Sequence, residues 1–111
     1  MTVISYFFQF LVAHAVADFV LQSETMGSGK NRYNLIHKEK GINFPAWYYW
    51  LSAHALVHGG AVYIITGNVV LGMLETLLHG LIDYSKCEGK LNFHQDQALH
   101  IICKIGYCFF V

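Results

Sequence analysis

Ionisable side chains recur at a spacing of four inside helix-length apolar runs, and this most constrains how the chain can fold. The stretch LETLLHGLIDYSK at 74–86 carries Glu75, His79 and Asp83 among leucines and an isoleucine. Residues four apart share one face of a helix. The same spacing aligns His14 with Asp18 and Gln22, His54 with His58, and Asp96 with His100 and Lys104. An ionised carboxylate in a hydrocarbon surrounding costs at least ~2.5–3.5 kcal/mol on insertion scales. Such rows are tolerable only if they face one another and neutralise each other, so the helices must pack with their polar rows inward.

The apolar runs are expected at about 2–21, 45–66, 68–84 and 96–111. The first is long enough for a bilayer span, which needs about 20 helical residues. The last, at about 22–24 Å of helix, needs local thinning, a partner chain or an incomplete crossing. Hydrophobic residues make up 55% of the chain and charged residues 13%, about half the roughly 25% of a typical soluble domain. The expected architecture is therefore all-α: a single integral-membrane domain over 1–111, folded as a polytopic four-helix transmembrane bundle with short loops. Lys30, Arg32, Lys38 and Lys40 fall in the first connection and Lys86 and Lys90 in the third. The positive-inside rule then makes both connections cytoplasmic and the topology N-out/C-out. The aromatic run WYYW at 47–50 suits an interfacial anchor.

Composition also excludes some classes. The formal net charge is zero, and a nucleic-acid footprint needs a basic face. The three cysteines, Cys87, Cys103 and Cys108, contain no CxxC pair, which argues against a disulfide framework or a Cys-rich zinc site. No Lys or Arg precedes the first apolar run, so a secretory signal is not expected. GSGK at 27–30 lacks the phosphate-loop spacing and follows no strand.

At 1.5 Å of rise per residue, the polar groups of all four runs fall in the cytoplasmic half of a membrane. Three arrangements would neutralise them: a divalent metal held by imidazoles and carboxylates, a His–Asp proton relay, or a static network with ordered water. For a metal site, His14, His79, Asp83 and His100 are the first ligands expected and His54 the next. Glu75 or Asp18 is the expected general base. Gln22, His58, Asp96 and Gln97 complete the polar set, with His58 also suited to a plain interhelical hydrogen bond and Asp96 to a first-turn or capping role.

The chain resembles a family of bacterial and phage membrane proteins, domain of unknown function 3307. Three blocks carry the likeness: HAVADFVLQ at 14–22, HALVHG at 54–59, and ETLLHGLIDYSKCEGKLNFHQDQALHIICK at 75–104. They are similar to the family's H-x-x-x-D-F-x-L-Q, E-x-x-x-H-x-x-I-D-x-x-K and D-Q-x-x-H patterns. The resemblance implies an integral protein of the bacterial inner membrane, phage or bacterial in origin, and a shared polar set of His14, Asp18, Gln22, His54, His58, His79, Asp83, Asp96, Gln97 and His100. It supplies no activity.

Three functions are expected from these residues. The first is a membrane-embedded divalent metal site, zinc by its donor set, with metal-dependent hydrolysis as its chemistry. The second is a small proton-coupled transporter of a polar solute, working as a homo-oligomer. The third is a non-enzymatic membrane effector that binds a host protein through the first connection, with Tyr33 and His37 at its surface.

Overall fold

The computed structural model describes residues 2–111, and all regular structure in them is helical. Helix α1 (Val3–Ala15) continues into a π-helical turn (Val16–Val20). Two short helices, α2 (Glu24–Gly29) and α3 (Ile36–Lys40), occupy the first connection. Three longer helices follow: α4 (Trp47–Thr66), α5 (Val69–Cys87) and α6 (Phe93–Tyr107).

Side-chain caps set most helix starts. Thr2 accepts from the Ser5 amide at 3.1 Å and Ser23 from the Met26 amide at 3.0 Å. Asn68 accepts from the Val70 and Leu71 amides. Asn92 and Gln95 form a reciprocal capping box, which satisfies two otherwise orphaned donors. Gly67, at φ 66°, ends α4 in the left-handed region and lets Asn68 begin α5 at once, a backbone state glycine adopts without steric cost.

Helices α4 and α5 form a close antiparallel hairpin. A Cβ on Gly59 would lie 1.8 Å from Thr76 Oγ1 and 2.6 Å from the Gly72 carbonyl oxygen. Only a glycine permits that approach, which brings the histidines flanking it on α4 and α5 together. Helices α1 and α6 close the other side. Toward one end Phe10, Val62, Leu71, Tyr107 and Cys108 form an apolar core, with Phe10 edge-on to Tyr107.

The four-span, N-out/C-out expectation is overturned. Among the described residues only Val3–Val20 is long and apolar enough to cross a membrane, by length and composition. Helix α4 has the length, but its Trp, Tyr, His and Ser content lowers its hydropathy. Helix α5 carries Glu75, Asp83 and Lys86 within its 19 residues, and α6 is only 15 residues long. With one such segment rather than four, the orientation argued from the connections falls as well. The segment boundaries shift too: α5 runs three residues beyond 84, and α6 begins at Phe93 and ends at Tyr107 rather than covering 96–111.

Burial is inverted relative to a water-soluble core. Among the described residues the buried side chains include ten polar or charged ones and seven apolar ones. Meanwhile Ile4 is 81% exposed, Val20 73% and Ile64 83%. Lys, Glu and Asp are almost never fully buried unless paired, so the polar interior must supply its own partners.

Candidate functional site

The inward rows meet as the spacing requires. Five imidazoles, His14, His54, His58, His79 and His100, are buried together with Glu75, Asp83 and Asp96. Asp18 stands among them with 9% of its side chain exposed. Helix α1 supplies His14, and the π turn that follows supplies Asp18. Single π turns are rare and concentrate at functional sites. Helix α4 supplies His54 and His58, α5 supplies Glu75, His79 and Asp83, and α6 supplies Asp96, Gln97 and His100.

Asp18 is the hub. Its Oδ1 accepts from His54 Nε2 at 3.0 Å and from His58 Nε2 at 2.8 Å, with His79 Nε2 3.8 Å away. Its Oδ2 accepts from Gln97 Nε2 at 3.2 Å and lies 3.4 Å from His14 Nε2. Gln97 also donates to Asp96 Oδ2 at 3.1 Å and accepts from His14 at 2.9 Å. The two carboxylate oxygens thus divide the site, with His54, His58 and His79 on one side and His14, Gln97 and Asp96 on the other.

The rings also stack. His58 and His79 are 3.6 Å apart at 19°, and His79 and His100 are 4.1 Å apart at 21°. Two imidazolium ions at that separation, away from water, would repel strongly, so the stack favours neutral rings, the form that ligates metals.

Two further carboxylates are neutralised at the flanks. Glu75 pairs with Lys104 and accepts from the Tyr107 hydroxyl at 2.9 Å. Its Oε2 lies 3.9 Å from His79 Nδ1. Asp83 accepts from Lys30 Nζ at 2.7 Å, with His54 Nε2 3.7 Å from the same oxygen. Lys30 directly follows α2, which is braced where the His37 ring donates to the Gly29 carbonyl at 2.8 Å and where Gly29 packs against the Trp50 ring.

Several buried polar atoms have no protein partner: both nitrogens of His79, the Nδ1 atoms of His14 and His100, Asp96 Oδ1 and Gln22 Oε1. A buried donor or acceptor left unmatched costs ~1–3 kcal/mol. Five of the six lie on four residues of the cluster, His14, His79, Asp96 and His100.

Of the metal ligands expected from sequence, the structure brings His79 and His54 together, joined by Asp18 and His58 rather than by His14, Asp83 and His100. Ligand atoms of Asp18, His54, His58 and His79 all lie within 4.8 Å of one another. His14 and His100 are adjacent but outside that group, and Asp83 is held by Lys30. Glu75 is engaged by Lys104 and Tyr107, so it faces the site as a neutralised neighbour. Asp96 is one turn into α6, whose cap is Asn92. Gln22 donates only a 3.4 Å bond to the Asp18 carbonyl. Sequence reasoning missed Lys30, Lys104 and Tyr107 as members of the site. Lys104 shares the row of Asp96 and His100 and was in view; Lys30 carries no signal of burial in its polar connection.

The chain belongs to the family described as Protein of unknown function (DUF3307), which it matches over residues 6–110, nearly its whole length. No curated protein and no solved structure matches it.

Proposed function

We propose that the cluster is a divalent-metal site held by Asp18, His54, His58 and His79, in a small protein of the bacterial inner membrane, and that its chemistry is hydrolytic. The observation that carries this reading is His79. Its ring is 1% exposed, neither nitrogen makes a hydrogen bond although a carboxylate lies 3.8–3.9 Å from each, and its ligand atom converges with three others. Three imidazoles and one carboxylate suit zinc among the common divalent ions.

Charge balance supports the same reading. Asp18, Glu75, Asp83 and Asp96 bring four negative charges, and Lys30 and Lys104 bring two positive ones. With neutral imidazoles, two negative charges remain uncompensated among buried side chains. One divalent cation cancels them. The surrounding residues fit this role. Glu75 stands beside His79 Nδ1, where a carboxylate orients a ligating ring and raises its basicity. Gln97 ties Asp18 to Asp96 and His14 and fixes the carboxylate's rotation. Asp18, His54, His58 and His79 would hold the ion, which would supply a bound water of lowered pKa and polarisation of an ester oxygen.

The exposed apolar side chains support the membrane placement. Ile4, Phe8, Val12, Phe19 and Val20 are all exposed on Val3–Val20, which among the described residues is the segment both long and apolar enough to cross, and we assign them to lipid contact.

The test is a metal titration of protein purified in detergent and stripped with chelator. The expected result is one tightly held equivalent of zinc, lost in His79→Ala and His54→Ala. Trace metal in the parent, with no change in either variant, refutes the proposal. A second reading, proton transfer, is favoured by the continuous path His14–Gln97–Asp18–His54/His58. It balances the charge with two imidazolium protons instead of a cation. Proton flux into proteoliposomes that survives metal removal and stops in Asp18→Asn would favour it over the metal.

A further inference from the structure

The five imidazoles of the cluster are at most 5% exposed, and the Asp18 side chain 9%. Whatever the cluster binds must therefore pass a part of the chain that moves. One end is stopped by Phe10, Val62 and Tyr107, none more than 3% exposed. The seam between α4 and α5 is shut where a Cβ on Gly72 would lie 3.0 Å from the Gly59 carbonyl oxygen.

The opposite end is covered by α2. Gln22, one turn beyond Asp18, packs its amide against Gly27, whose Cβ, if present, would meet Gln22 Nε2 at 3.7 Å. Just past the far end of α2, Lys30 is 6% exposed and donates to Asp83 Oδ2 at 2.7 Å. That oxygen is 3.7 Å from His54 Nε2. Helix α2 thus runs from the π turn to α5 across His54.

Little apolar burial holds it there. Its six residues, ETMGSG, include one large apolar side chain, Met26, and a helix so short is not stable by itself. Its fastenings are side chains: Lys30 on Asp83, Gly29 against the Trp50 ring, the His37 ring donating to the Gly29 carbonyl at 2.8 Å and, two residues past Lys30, Arg32 Nε donating to Glu88 at 3.1 Å. Segments with few buried apolar contacts open at free energies well below that of global unfolding.

We infer that α2 is a door over the cluster, latched by Lys30 on Asp83, and that what the cluster binds enters beneath it. For zinc as the entrant, the inference rests on the metal reading above. The door itself rests on the burial of the cluster and the few fastenings of α2.

The metal-free protein in detergent is treated with diethyl pyrocarbonate, and the modification of each histidine is followed by peptide mass spectrometry, with exposed His94 as internal reference. Lys30→Met and His37→Ala each remove one fastening. Both should speed modification of His54 at least about tenfold, the effect of lowering an opening free energy by about 1.4 kcal/mol. His14, on the far side of Asp18, should gain less, and His94 should not change. An unchanged His54 rate in both variants overturns the door. So does equal acceleration of all five buried rings in step with a loss of thermal stability, because that is global unfolding. His37→Ala leaves the cluster intact, so zinc should enter and leave it faster by one common factor, with affinity unchanged, as expected when only a gate is altered. Altered affinity at an unchanged entry rate overturns the door as well. No zinc binding in the parent overturns the metal reading alone, and the histidine rates still decide the door.

Discussion

Replacing Lys104 by Met should be among the most destabilising single changes available to this chain. Lys104 is 2% exposed on α6, and its ammonium pairs with Glu75 on α5, itself fully buried. Met keeps most of the side chain's length and apolar volume, so packing is nearly preserved. What is lost is the countercharge. Glu75 would keep the Tyr107 hydroxyl at 2.9 Å, and that single neutral donor does not compensate a buried carboxylate. Removing one partner of a buried pair costs about 3–5 kcal/mol, which for a domain of this size lowers Tm by roughly 15–25 °C. The double variant Lys104→Met/Glu75→Gln removes both charges. It should recover most of the loss, since buried pairs replaced together are often neutral or stabilising. Thermal unfolding of the four proteins in one detergent, read by circular dichroism, closes the cycle. A coupling energy below ~1 kcal/mol, or a double variant no better than Lys104→Met, would refute the claim that Lys104 is there to neutralise Glu75.

Gly59→Ala should cost about 1–3 kcal/mol through overpacking, because the new Cβ meets Thr76 Oγ1 and a backbone oxygen of α5; pairing it with Thr76→Ala should recover only part, as the Gly72 carbonyl remains, and thermal unfolding measures both. Lys30→Met should free Asp83 beside His54 and release the first connection, seen as faster proteolysis at 22–44 with the helical signal unchanged. The Arg32 guanidinium, bonded to Glu88, holds that carboxyl below its ordinary range. Its stabilising effect is therefore present above the ordinary carboxylate value and is lost as pH falls through the lowered one, a dependence that Glu88→Gln should abolish in unfolding scans. Tyr84, whose hydroxyl donates to Glu88 at 2.7 Å, is raised above its ordinary value chiefly by that bond; ultraviolet titration should show one tyrosine moving to lower pH in Glu88→Gln.

The sequence rows were legible because side-chain periodicity is a property of each helix alone. His14/Asp18, His54/His58, Glu75/His79/Asp83 and Asp96/His100 could be read as faces, and physical cost alone demanded that they meet. How they meet was not legible. A uniform 1.5 Å rise carried the first helix straight through Val16–Val20, where a π turn stands, and no residue in that stretch announces one. Lys30 was counted as a cytoplasmic surface charge, and its burial against Asp83 depends on α2 folding back, which no periodicity encodes. The count of membrane spans failed for a related reason. Apolar run length takes no account of how far three charged residues on α5, or the polar aromatics and histidines on α4, lower a helix's fitness for hydrocarbon.

That π turn explains why Asp18, and not a residue of a longer row, stands at the centre. In a continued α-helix the backbone would bond i to i−4, whereas here the Leu21 amide reaches the Val16 carbonyl at 2.8 Å. The turn is wider, so the residues beyond Ala15 no longer fall on the His14 stripe at the usual angle. Asp18 still reaches His14, at 3.4 Å, yet its other oxygen meets two imidazoles of α4. An ideal helix would stack Asp18 one turn from His14 on a single face and leave His54 and His58 to find other partners. Deleting one residue from the turn, Val16 for instance, should convert it to α-helix and rotate Asp18 off the hub. On the proposed metal reading, the expected loss is in zinc affinity, out of proportion to the change in helix content, while the apolar packing of Phe10, which precedes the turn, against Tyr107 is kept. Unchanged affinity in that deletion would mean that the imidazoles assemble without Asp18 at their centre.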